Sequence, residues 1–150
     1  MEVRKVYIAS DHAGYELKER IIACFSDRFN FENLGCFSAE SVDYPDYAHA
    51  LASIVNKNPE QLSILLCGSG NGVAMTANKY PHVRAALCWN EEIAVLARQH
   101  NNANILTLPA RFITEELAFK ITELFFNTSF EGGRHSKRVE KIIPDKCLIL

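Results

Sequence analysis

Several things are scarce or missing in this chain, and each removes a class of function. No excess charge of one sign is present: 16 lysines and arginines stand against 18 aspartates and glutamates, a formal net charge of −2. That balance argues against a broad nucleic-acid footprint. No apolar run reaches the roughly 18 residues that a membrane span needs. The opening residues, MEVRKVYIAS, lack the apolar h-region and small-residue cleavage site of a signal peptide. Paired cysteines are missing too. The five, at 24, 36, 67, 88 and 147, are odd in number and no two share a C-x-x-C spacing, which argues against a disulfide framework or a zinc site. A reducing cytoplasm is the expected compartment. Repeats, linkers and low-complexity segments are also lacking, and 150 residues suit a single domain, residues 1–150.

What is present is alternation. Val3–Ser10 reads as a first strand, followed by Asp11-His12-Ala13-Gly14 and a helical face of Leu17, Ile21, Cys24 and Phe25. Phe31–Leu34 reads as a weak second strand. Asp43-Tyr44-Pro45-Asp46 starts a helix, since proline is tolerated in a first turn. Ile64-Leu65-Leu66 has the unbroken apolarity of a strand buried on both faces. Val83–Leu87 and Ile105–Leu108 read as the fourth and fifth strands. The fourth is followed by a helix opened by Asn90-Glu91-Glu92, with Ile93, Ala94, Leu96 and Ala97 inward. The fifth is followed by one opened by Thr114-Glu115-Glu116. Arg134–Lys141 reads as a short basic helix. The expected class is α/β: a three-layer, Rossmann-like α/β/α domain with a five-stranded parallel sheet and a C-terminal helix. Strand order is not encoded in this pattern.

The chemistry-bearing residues gather at junctions. Cys67-Gly68-Ser69-Gly70-Asn71-Gly72 follows the third strand, and ligands of open α/β sheets bind at strand carboxyl ends. Three glycines let several N–H groups face one point. Known phosphate loops do not fit: Gly72 is followed by Val73 where a Walker loop needs Lys, and the spacing is G-x-G-x-G where a dinucleotide fingerprint needs G-x-G-x-x-G. Valine also stands where a cysteine phosphatase carries arginine. An oxyanion cradle beside a potential base remains. A lone cysteine at a strand end is more often a small buried hydrophobe; the glycine loop is what singles out Cys67 from Cys24, Cys36, Cys88 and Cys147. His12 and His100 close two further junctions, and all three junctions are expected to share one edge of the sheet. Asp11 suits a helix cap as well as a site. Arg134 and Arg138, at i and i+4, suit a solvated face as well as a fork for a phosphate dianion.

Taken together, DHAGYELK, DYPDYA, CGSGNG with ANK, RQHNNANIL and EGGRHSKRV resemble the ribose-5-phosphate isomerase B family, whose nearest kin are the galactose-6-phosphate isomerase subunits. The resemblance spans nearly the whole chain. It implies an aldose–ketose isomerase that interconverts ribose 5-phosphate and ribulose 5-phosphate through a cis-enediolate, without metal or cofactor. The six-carbon sugar phosphates allose or galactose 6-phosphate are the alternative substrates, and a non-enzymatic sugar-phosphate sensor is the alternative class. The family's base falls on Cys67; the glutamate that replaces it in some members would fall where Val73 stands. Loop amides from Gly68 to Gly72, including Gly70 and Asn71, and the Ser69 hydroxyl would stabilise the enediolate. His100 would open the furanose ring with Asp11 nearby, and Asn101 would contact sugar hydroxyls. His12, Arg134, Arg138 and Arg111 (in PAR where GSR is more familiar) would hold the phosphate, and Tyr44 would line the pocket. The family shares its sites between subunits, so a homodimer or homotetramer is implied, with the apolar Cys147–Leu150 tail on a neighbour. Neither nucleic acid nor membrane is expected as a partner.

Overall fold

The computed structural model describes residues 3–145. The elements run β1 (Arg4–Ser10), α1 (Tyr15–Phe25), β2 (Phe29–Asn33), α2 (Tyr44–Lys57), β3 (Ser63–Cys67), α3 (Asn71–Ala77), β4 (Ala85–Leu87), α4 (Glu91–Gln99), β5 (Ile105–Pro109) and α5 (Glu115–Asn127), then a 3-10 turn at Gly133–His135 and α6 (Ser136–Glu140). The five strands form one sheet in the order β2-β1-β3-β5-β4, and every pairing is parallel. The expected Rossmann-like α/β/α architecture is the observed one. The Cys147–Leu150 tail lies outside the described residues.

Period-two alternation assigns the faces. Val6 and Ile8, Ile64 and Leu66, and Leu106 and Leu108 point toward α1, α4 and α5. Ala9, Leu65, Cys67 and Ile105 point the other way, toward α2 and α3. All five residues of β3 and of β5 are buried, as expected of central strands covered on both sides. Each fully buried Leu or Ile here stabilises the fold by about 1.5–3 kcal/mol relative to exposure. Asn90 and Thr114 cap α4 and α5, accepting from Ile93 N–H at 2.9 Å and Leu117 N–H at 3.1 Å.

The chain leaves β1 in both directions. It pairs first with β2 and later with β3, so the strand order reverses between β1 and β3. Their carboxyl ends, at Ser10 and Cys67, flank that switch point, where open α/β sheets bind ligands.

Several sequence expectations need correction. Cys24 is exposed, not inward, because α1 rotates Lys18 into its place. Lys18 is fully buried and donates to Asn33 Oδ1 at 2.9 Å; its ammonium pairs with Glu19 at 2.5 Å and lies over the Tyr15 and Phe37 rings. Leu96 is only half-buried, and Arg98 is buried instead. Strand β4 begins at Ala85, since Val83 N–H bonds to Tyr80 O in a turn. The side chain of Asn78 then brackets the outer edge of β4, accepting from Ala85 N–H at 2.8 Å and donating to Ala85 O at 2.9 Å. The basic helix is split into a 3-10 turn and a shorter α6.

Candidate active site

Ten of the sequence-predicted residues gather at the carboxyl edge of the sheet. Cys67 ends β3 at the carboxyl edge of the sheet, with 4 % of its surface exposed, packed in the apolar cluster beneath α2 and α3. The turn that follows is braced by the residues just after β5: Ala110 N–H donates to Cys67 O at 2.9 Å and Arg111 N–H to Gly68 O at 3.0 Å. Gly70 sits at φ +74, and a Cβ there would run into Leu87 Cδ1 and the main chain at Leu108–Pro109, so only glycine satisfies both the dihedral and the space. Among the described residues, the N–H groups of Ser69 and Gly70 have no main-chain acceptor, while Ser69 Oγ accepts from Asn71 N–H at 3.3 Å. The loop therefore presents donors that the fold itself does not consume.

The neighbours of this loop come from three other junctions. Tyr44 opens α2, and its ring lies so close to Gly72 that a Cβ there would stand 2.6 Å from Tyr44 Cε2 and Cζ. Arg111 folds back over Gly68, with Cδ and Nη1 3.3 Å from where a Cβ would be. Asp11 is buried, and its Oδ1 accepts from Gly14 N–H at 3.1 Å, which fixes the carboxylate at the start of α1. His12 Nδ1 accepts from Val42 N–H at 3.2 Å, so the neutral ring carries its proton on Nε2. Val42 reaches it because the chain after β2 is pinned to β1: Ser10 N–H donates to Gly35 O at 2.7 Å and Cys36 N–H to Ser10 O at 2.8 Å. A second rim of this edge, a cleft of about 330 Å³, combines Ser69 and Asn71 with Leu87, Pro109 and the exposed rings of Trp89 and Phe112.

The other four residues lie elsewhere. His100 and Asn101 follow α4, and a helix that leaves β4 at the carboxyl edge returns the chain to the amino edge before β5 begins. Both residues therefore precede Ile105, whereas Cys67 is in register with Pro109. The expectation that all three junctions share one edge is overturned for this pair. Arg134 and Arg138 join His100 and Asn101 there, around a cleft of about 460 Å³ that also includes His135, Val139 and Ile142. The His100 and His135 rings stack at 4.2 Å between centroids, 13° from parallel. The turn carrying Asn101 is held by Arg98, whose Nε donates to Thr128 O at 3.2 Å and whose Nη1 donates to Asn102 Oδ1 at 3.1 Å and to Ala103 O. Burial, with Arg4 and Arg84 nearby, pushes this guanidinium below its usual value.

The ribose/galactose isomerase family model matches residues 6–142. The chain belongs to that family. It is 48% identical over 140 residues, 92% of each chain, to a probable ribose-5-phosphate isomerase B from Mycoplasma pneumoniae. The fold superposes on a ribose 5-phosphate isomerase from Thermotoga maritima with a TM-score of 0.91 at 48% identity, covering 95% of this chain and 99% of that one. It superposes equally, with a TM-score of 0.91 at 45% identity over 95% of this chain and 96% of that one, on ribose-5-phosphate isomerase B from Mycoplasma genitalium with bound ribulose-5-phosphate.

Among isomerases of this family, the residues that sequence reasoning left without a role are the supporting ones. His135 was visible as part of a basic segment, but its stacking on His100 depends on how the C-terminal segment folds back. Nothing in the spacing of α4 marks Arg98 as buried. Of the other described cysteines, Cys24 is exposed while Cys36 and Cys88 are buried core residues, and burial pushes the Cys88 thiol up to about 12, leaving it protonated and inert. Among the described residues, one group has the spacing for a metal: the ligand atoms of His100, Glu131 and His135 lie within 4.8 Å of one another. The two imidazoles present faces to each other, so their lone pairs do not converge, and Arg134 and Arg138 line the same cleft. That electropositive surface suits an anion.

Proposed function

We propose that the protein interconverts D-ribose 5-phosphate and D-ribulose 5-phosphate by proton transfer through a cis-enediolate, at a site completed by two copies of the chain. The observation that carries this reading is the loop Cys67–Gly72: a thiol beside uncommitted N–H donors, ringed by Asp11, His12, Tyr44 and Arg111. The bound ribulose-5-phosphate of the Mycoplasma genitalium relative supports the substrate class.

The roles follow from the chemistry. In ring opening, His100 gives a proton to the ring oxygen as the C1–O bond breaks, and Asp11 takes the proton of the anomeric hydroxyl as the C1 carbonyl forms. The Cys67 thiolate then removes the proton from C2. The released electron pair makes a C1–C2 double bond, and the charge settles on oxygen, facing the Gly68–Gly72 loop, where the uncommitted N–H groups of Ser69 and Gly70 and the Ser69 hydroxyl are the donors. A preorganised donor of this kind contributes about 3 kcal/mol to the transition state. The proton passes from O2 to O1, C1 recovers a proton from the Cys67 thiol, and the C2 carbonyl forms. No net oxidation occurs and no co-reactant is needed. His12, Arg111, Arg134 and Arg138 hold the phosphate, whose binding energy orients the sugar. Asn101 holds sugar hydroxyls and Tyr44 walls the pocket.

One chain cannot bring these roles together. From Ile105 to Pro109 the sheet measures about 13 Å along the strand, and His100 lies beyond one end while Cys67 lies at the other. An open-chain pentose does not bridge that span. A second copy that sets its amino-edge cluster against the carboxyl edge of the first completes the site, and two-fold symmetry completes two sites at once.

The family description, which covers ribose and galactose, keeps a six-carbon sugar phosphate as the second reading. The test is to compare kcat/KM for ribose 5-phosphate with allose and galactose 6-phosphate, and to run the reaction in D2O. The reading expects the highest kcat/KM on the pentose, with solvent deuterium entering ribulose 5-phosphate at C1. A higher value on a hexose phosphate would move the assignment to that substrate, and absence of exchange would remove the enediolate.

A further inference from the structure

His135 belongs to neither set of reacting groups, yet it is the most enclosed titratable side chain of the amino-edge cluster, at 5 % exposure. It arrives from the 3-10 turn, an element separate from the α4 end that carries His100, and the two rings meet nearly parallel at 4.2 Å. The meeting is built from both sides. Glu131 N–H donates to Gln99 O at 3.1 Å and His135 N–H to Gly132 O at 3.0 Å, which ties the turn to the last residue of α4. A histidine serving only to satisfy the core would bond through both ring nitrogens, but His135 Nε2 is buried without a hydrogen-bond partner, 3.4 Å from Glu131 Oε2 and out of alignment with it. What the ring offers is its face.

We propose that His135 is a positioning residue: its buried ring is the platform that sets the plane of the His100 imidazole for proton transfer at the substrate. This rests on the reading of His100 as the group that moves a proton during ring opening. The charges facing His135 are Glu131 on one side and His100, Arg134 and Arg138 on the other. Burial first, then those three cationic neighbours, hold its proton affinity below the usual histidine value, against the pull of Glu131. The platform is therefore a neutral ring. That matters because His100 alternates between neutral and charged during turnover: a neutral aromatic face accommodates both states, whereas a second imidazolium at stacking distance would repel the charged one.

The test combines NMR of the histidine ring protons with kinetics in wild type, His135→Ala and His135→Phe, with His100 assigned from His100→Gln. The expected wild-type signature is an upfield ring-current shift of a His100 ring proton, lost in His135→Ala and kept in His135→Phe. In parallel, His135→Ala lowers kcat on ribose 5-phosphate by about tenfold through loss of orientation, with KM changed less, and moves the acid limb of the kcat–pH profile. His135→Phe recovers most of kcat because it retains a flat ring. The stacking is also readable in wild type alone, as a nuclear Overhauser effect between the two rings, so a variant that fails to fold does not rescue the inference; absence of that effect overturns it. Loss of the ring-current shift with kcat unchanged also overturns it and leaves the isomerase reading standing. A wild-type protein without isomerase activity overturns both.

Discussion

The two edges of the sheet are built in different ways. The carboxyl-edge cluster is made of main chain: strand ends in parallel register, a glycine loop whose turns are bonded to the residues just after β5, and an Asp11 carboxylate locked on Gly14 N–H. The amino-edge cluster is made of side chains on a helix end and a folded-back segment, held by stacking and by Arg98. The first suits developing negative charge, which needs donors that do not move. The second, in the proposed reaction, suits groups that deliver a proton and help to grip a phosphate from outside.

Substitutions at the two edges should separate those characters. The largest effect is expected at Cys67: Cys67→Ala removes the proposed base and lowers kcat by about 10⁴-fold, while equilibrium binding of ribose 5-phosphate, measured by calorimetry, stays within a few-fold. Retained turnover would strip the carboxyl edge of its assigned chemistry. Next is Gly70→Ala, which forces a side chain into a left-handed residue with no room for it. The expected cost is about 2–4 kcal/mol in denaturant unfolding, together with loss of activity because the donors shift. At the amino edge, Arg98→Met removes three donated bonds while keeping an apolar stem. We expect about 1–3 kcal/mol of destabilisation and a raised KM, with the carboxyl edge intact as judged by unchanged thiol labelling of Cys67.

The smallest effect is a pH dependence. The ordinary histidine value is 6.5, and His135 lies below it in the fold. Between those two values the unfolded chain carries a proton that the folded chain does not, so stability rises with pH through that window. It is fully present above 6.5 and falls as pH drops below. The urea midpoint should therefore decline on the acid side of 6.5 less steeply in His135→Phe than in wild type. An identical slope would mean that His135 keeps its ordinary affinity.

The same division explains what could be read from the residues alone. The carboxyl edge was legible because its parts are local: an apolar run ending in Cys67-Gly68-Ser69-Gly70, and a polar junction after each strand. The α/β alternation was legible for the same reason, and the period of two separates Ile64 and Leu66 from Leu65 and Cys67. The amino edge was not, since the order of the chain ties His100 to the strand before it although α4 carries it back across the sheet. Burial of Lys18 and Arg98 also escaped the pattern. Each is a cation with partners from turns or distant elements, Asn33 for one and Thr128, Asn102 and Ala103 for the other, where tertiary contacts outweigh polarity. The place of β4 outside β5 belongs to the same class, because a crossover that skips a position leaves no trace in periodicity.

The most direct test of two copies sharing one site is complementation. Cys67→Ala and His100→Asn are each prepared alone, both nearly inactive, then mixed in equal amounts under conditions that let subunits exchange. Half of the resulting dimers are mixed, and each of those carries one site with an intact Cys67 facing an intact His100, so about a quarter of wild-type activity should return. Activity that stays at the sum of the two parents after verified exchange would mean that the thiol and the imidazole do not serve one site across two chains.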